Sequence, residues 1–194
     1  MDLEQLNLMD AMDASIVRGA REDEEVILKG RFDFECFDSD GNLKWRDTID
    51  NVVCTVGKNV ALDAFLAGSA YTVVGPFMGL ISSVGYVAAP VAGDTMTAHP
   101  NWTEAGGLNA PTYTAPRKTC AWSAATGGSK ALSAALTFAI TATGQINGAF
   151  LVYGSGALST IDNTAGILWS AGVFAAFKSV SNGDTLNVSY SVGM

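Results

Sequence analysis

Apolar residues through much of this chain recur at every other position, in short runs fenced by glycine, proline and asparagine. Residues 131–141 (ALSAALTFAIT) set Leu132, Ala134, Leu136, Phe138 and Ile140 on one side. A period of two is the mark of a half-buried strand. Residues 26–37 (VILKGRFDFECF) alternate likewise, with Phe32, Phe34 and Cys36 on one face and Asp33, Glu35 and Phe37 on the other. The turn cluster 38–42 (DSDGN) follows, and residues 43–53 continue as a second strand, which predicts a long hairpin. Residues 145–153, after Gly144, are expected to form a second hairpin with 131–141. Further strands are expected at 76–82, 118–123, 167–174 and 185–192, the last after the turn Asn182-Gly183-Asp184. Residues 94–107 read as irregular. Helical spacing is confined in this part of the chain to 57–66 (GKNVALDAFL), where Val60, Ala64 and Phe65 share a face and Gly68 is placed as the C-terminal cap. Turn signals about every 8–12 residues suggest a sandwich or barrel. The expected fold is mainly β: a single jelly-roll-like β-sandwich over 26–194 with one short helix and an N-terminal arm.

The arm covers residues 1–25 and differs in kind. Leu3, Leu6, Met9, Met12 and Ile16 recur every three or four residues, one apolar stripe at helical spacing. A lone helix of that length is marginal in water, so the stripe needs a surface to pack on, either the chain's own body or a neighbour. These five residues are the candidate interaction residues of the arm. The segment also holds eight acids and two bases, a net charge of −6 out of −8 for the whole chain. The acidic run 22–25 marks a solvated junction with the body.

Beyond residue 70 charge almost disappears. Asp94, Glu104, Asp162 and Asp184 stand against Arg117, Lys118, Lys130 and Lys178. Soluble domains carry about 25 % charged residues, and a free monomer ordinarily wets its surface with them. Two readings follow: an uncharged but polar β-surface, or a surface covered by copies of itself or by a partner. The acidic balance without a basic cluster speaks against nucleic acid or an anionic membrane as that partner. No apolar run approaches the ~18 residues of a membrane span, and no secretory signal opens the chain. With 48 % hydrophobic residues among 194, a full core can form.

Candidate chemistry was weighed residue by residue. His99 is the one histidine, so any Ser-His-Asp or Cys-His arrangement would run through it; it sits in a loop sequence, and Gly154-Ser155-Gly156 lacks the spacing of a nucleophile elbow. Asp38, Asp40 and Asn42 around Gly41 open like a calcium loop, but the glycine comes one residue early and the twelfth position is Ile49. Glu104 and Asp94 are the nearest approach to a glycosidase carboxylate pair in the charge-poor region. Trp45, Trp102, Trp122 and Trp169, with Tyr71, Tyr86 and Tyr113, could line a sugar platform, though aromatics on alternating strands more often serve core or subunit interface. Gly127-Gly128-Ser129-Lys130 lacks the P-loop spacing. Cys36, Cys54 and Cys120 have no paired spacing, which excludes a disulfide framework or zinc knuckle as the organising feature. The residues therefore give no catalytic, cofactor-binding or metal site, and the reading is non-enzymatic.

Several segments taken together carry a resemblance. They are 40–51 (DGNLKWRDTIDN), 57–71 (GKNVALDAFLAGSAY), 79–83 (GLISS), 94–106 (DTMTAHPNWTEAG), 170–174 (SAGVF) and 182–190 (NGDTLNVSY). Over roughly residues 27–194 the chain resembles small structural proteins of tailed-bacteriophage virions, including capsid decoration (cement) proteins. The resemblance implies a virion component assembled in the host cytoplasm. Its implied partner is the major capsid protein, and its implied state is a homo-oligomer, dimer or trimer. A tail, adaptor or fibre-associated protein touching the host surface is the alternative. The arm at 1–25 lies outside the resemblance.

Overall fold

The computed structural model describes residues 28–66 and 74–193. The arm with Leu3, Leu6, Met9, Met12 and Ile16, the cap position Gly68 and the ring of Tyr71 lie outside the described residues. Nine strands and one helix follow in the order β1 (Lys29–Phe37), β2 (Leu43–Val53), α1 (Thr55–Leu66), β3 (Phe77–Ser82), β4 (Lys118–Thr119), β5 (Ser129–Ala131), β6 (Leu136–Ala139), β7 (Gly144–Tyr153), β8 (Ile167–Val180) and β9 (Thr185–Gly193). The mainly β expectation with one short helix holds. Every strand pairing is antiparallel, and the order across the sheet is β4-β3-β7-β8-β2-β1-β9-β5, with β6 also on β9. The sheet curls into a half-barrel.

Two corners make the curl. At the first, β2 pairs with β1 over most of its length and then hands Val52 and Val53 to Ala171 and Ser170 of β8. At the second, one short segment serves both ends of the sheet. Lys118 and Thr119 pair with β3, while the Ala121 carbonyl accepts from the Ser133 amide and the Ser123 amide donates to the Ala131 carbonyl. Between the corners lie two halves. One is built on β1, β2, β9, β5 and β6, the other on β3, β7, β8 and β4.

A shared core fills the space between them. Phe32, Phe34, Cys36, Ile49, Phe138, Leu186, Val188 and Tyr190 come from the first half, and Met78, Leu80, Leu151, Phe174 and Val180 from the second. Phe34 meets Phe174 across the interior at 4.7 Å between ring centroids. Burying such rings contributes on the order of 1.5–3 kcal/mol each. The β1–β2 hairpin forms as its alternation predicts, with Phe32 opposite Ile49. Its turn is tied by the Asp38 carboxylate, whose Oδ1 accepts the amides of Asp40 and Asn42 at 3.0 and 2.8 Å. Gly41 takes φ +83°, the left-handed region that favours glycine.

Two sequence expectations are corrected. Residues 131–141 are not one strand: β5 and β6 are separate, because the chain leaves β9 between them and the Ser133 amide turns to the Ala121 carbonyl. The hairpin expected between 131–141 and 145–153 does not form either. β6 pairs with β9, whereas β7 pairs with β3 and β8.

The second half has another layer outside it. On the far face of β3, β7 and β8, Ile81, Phe150, Val152, Leu168 and Ala171 form a second buried cluster with Cys54, Met96, Trp102 and Ala157. The loops at 83–116 and 154–166 and the helix α1 supply that cover. α1 packs against β8 so closely that a Cβ on Gly57 would lie 3.1 Å from the Trp169 backbone. No helix among the described residues is long and apolar enough to cross a membrane.

Candidate functional site

The covering layer holds most of the side chains singled out for chemistry, and it engages them in structure. Trp102 belongs to the outer cluster, its ring tilted by 43° to that of Phe150 at 5.3 Å between centroids. Its Nε1 donates to Asp94 Oδ2 at 2.9 Å, and the same oxygen accepts the Val91 amide. His99 stacks on the Trp102 face at 3.9 Å and 20°, with Nδ1 3.0 Å from the Trp102 carbonyl.

Glu104 is tied more firmly. Arg117 donates Nε to Oε1 at 2.8 Å and Nη2 to Oε2 at 2.6 Å, a two-pronged pair. Arg117 is only 1 % exposed, and its remaining bonds go to the carbonyls of Leu158 and Asn163. Glu104 Oε2 also accepts the Asp162 amide. Burial pushes the Glu104 carboxyl above its ordinary value, while the Arg117 guanidinium pulls it back down. The pair thus clamps 104, 117 and 158–163 onto the Phe150 ring, over which the guanidinium sits at 5.3 Å. Asp94 and Glu104, the carboxylates weighed as a catalytic pair, have separate partners and separate structural tasks. Arg117 escaped the sequence reading; in a stretch this poor in charge, its presence was itself the available signal.

The aromatic residues are likewise engaged with other rings. Trp45 packs edge-on to Phe174, Trp122 to Tyr190, Trp169 to Tyr153, Tyr113 to Phe138 and Tyr86 to Phe177. The three cysteines are buried and unbridged, and burial pushes each thiol up to about 12. Among the described residues no group of three His, Cys, Asp or Glu side chains is placed to hold a metal.

Two clefts remain. One of about 230 Å³ lies over the outer cluster between Met96, Trp102, Leu108, Asn109 and Asp162. The other, about 440 Å³, lies on the outer face of β1, β2 and β9 and is lined by Arg31, Asp33, Glu35, Arg46, Thr48 and Asn187. Asp33 there accepts from Arg31 Nε at 2.8 Å and from Thr48 Oγ1 at 3.0 Å.

The surface of the covering layer is the least ordinary feature. Over residues 83–116 and 154–166 the only acidic or basic residues are Asp94, Glu104 and Asp162, and the first two are buried. In their place Val84, Val87, Val91, Leu108 and Leu158 stand exposed, Val87 at 73 % and Leu108 at 90 %. Phe177 of β8, half-exposed, joins them through Tyr86. An apolar surface of this kind, nearly free of charge, is suited to association with protein rather than with water or polyanions.

The architecture defines an antiparallel β protein with a curled sheet, coated on one side. No protein-family model, curated protein or solved structure matches the chain.

Proposed function

We propose that the chain is a non-enzymatic structural protein of a bacteriophage virion: a capsid decoration (cement) protein that assembles as a dimer or trimer and stabilises the head shell by binding the major capsid protein. The observation that carries the reading is the nearly uncharged loop layer over 83–116 and 154–166 with its exposed Val84, Val87, Val91, Leu108 and Leu158. The segments that resemble virion proteins point the same way. Binding to the assembled shell and not to its free subunits stabilises the shell by mass action, and attachment through several copies holds firmly even where each contact is modest. The jelly-roll-like sandwich read from strand spacing belongs to the same proposal; the core that residues of both halves share supports it.

The test is a mixing experiment with expanded heads that lack a decoration layer. Saturation at hundreds of copies per head, abolished by Val87→Lys with Val91→Lys, is the expected result. Failure to bind heads contradicts it. The polar cleft on β1, β2 and β9 supports a second reading, a tail, adaptor or fibre-associated protein with host-surface contact, since its hydroxyl, amide and charged groups suit a glycan. A dozen copies or fewer per virion, located on the tail, would favour that reading.

A further inference from the structure

Helix α1 has an outward face that nothing among the described residues covers. Its inner side, Val56 and Gly57, packs on the outer cluster and on β8. On the outer side Leu62 and Leu66, one turn apart, are 56 % and 75 % exposed, with Lys58 a turn earlier and Asp63 beside them. We propose that the chain's own N-terminal segment docks there, the stripe Leu3, Leu6, Met9, Met12 and Ile16 lying along Leu62 and Leu66 of the same molecule. The proposal does not depend on the virion reading.

Three observations select this occupant. The first is where the segment joins the body. Lys29 pairs with Gly193 and Gly30 with Asn51, and four residues past Asn51 the chain opens α1 at Thr55. The segment therefore joins the body opposite Asn51, four residues of chain from where the helix begins. The second is length. Residues 3–16 at helical rise span about 20 Å, close to the ~18 Å of the twelve-residue α1. The eight bonds from residue 20 to residue 28 reach about 26 Å when extended, enough to place the stripe anywhere on α1. The third is charge. Lys29 on β1 and Lys130 on β5 are exposed at the junction, the latter paired to Val192 next to Gly193. In the sequence the acidic run Glu22, Asp23, Glu24 and Glu25 ends four residues before Lys29. The apolar loops at 83–116 offer an acidic segment no base, so they are the weaker host for it.

Trypsin reads the docking in the full chain, because Arg18 and Arg21 lie between stripe and body. Leu62→Glu with Leu66→Glu should speed cleavage there about tenfold or more, since docking must open before the protease acts. Leu108→Glu, an exposed leucine on the other loops, should leave it unchanged. Reciprocally, Leu6→Glu with Met9→Glu should speed amide exchange in α1 without touching its residues, which keeps the test valid even where the first variant misfolds. Equal cleavage in wild type and the Leu62/Leu66 variant, together with unchanged α1 exchange, overturns the proposal. Protection that falls on dilution overturns it too, since that places the segment on another copy.

Discussion

The two halves of the sheet bury their inner faces in one core and treat their outer faces in opposite ways. β1 and β2 carry eight charged residues in twenty, and all of them reach the surface: Lys29, Arg31, Asp33, Glu35, Lys44, Arg46, Asp47 and Asp50. β7 is buried without a break from Ile146 to Tyr153. A strand wet on one side needs only alternation, and its hydrogen-bonding outer groups keep it soluble. A strand dry on both sides needs a second layer, and a loop layer has few backbone bonds of its own. Here buried polar links hold it. Glu104–Arg117 and Asp94–Trp102 do for the loops what a ladder does for strands. Because those charges are turned inward, the layer's outer surface is left almost neutral.

The largest effect that would sharpen this contrast is Arg117→Met. It leaves Glu104 buried without its partner and should cost about 3–5 kcal/mol, read as a lower urea midpoint. Arg31→Ala, which breaks the exposed Arg31–Asp33 pair on the other half, should cost under about 0.5 kcal/mol. Similar losses from both would erase the distinction. Next comes Gly79→Ala. A Cβ there would press on both Phe150 and Glu104, so a loss of about 1–3 kcal/mol is expected. Gly93→Ala, with open space around it, should be near neutral. Trp102→Phe keeps the ring but removes the donor to Asp94, for about 1–3 kcal/mol.

Smaller still is a pH effect on the charged half. Lys178 holds the Asp47 carboxyl below its ordinary value of 3.8, chiefly by hydrogen bonding. A depressed carboxyl contributes stability above its unfolded value and loses it as the pH falls through the folded one. Asp47→Asn should therefore cost a few tenths of a kcal/mol at pH 7, because the pair is partly exposed. That difference should vanish in acid. The cysteines supply a check on the shared core: with thiols pushed up to about 12 by burial, all three should resist thiol reagents at pH 8 until the chain unfolds.

The wet half was the legible one. Phe32, Phe34 and Cys36 announced their face by alternation, and the 38–42 turn announced the hairpin. The dry half was legible only as strands. β7 reads as an apolar run, and a run does not say what covers it. The break at 132–135 was hidden because Leu132 and Leu136 keep the period and both lie on β9, at Tyr190 and Val188, while the Ser133 amide between them turns to the Ala121 carbonyl. Glu104 was noticed as one carboxylate of a pair with Asp94. Its ion-pair partner was not, since twelve irregular residues lie between them and only the fold brings Arg117 beneath it.

The nearly neutral loop layer is proposed to bind protein through its exposed valines. Light scattering on the eluting full-length protein tests it most directly, comparing wild type with Val84→Lys, Val87→Lys and Val91→Lys combined. The expected result is a wild-type dimer or trimer and a monomeric variant with an unchanged unfolding midpoint. A wild type that stays monomeric, or a variant that keeps its oligomeric mass, would contradict it.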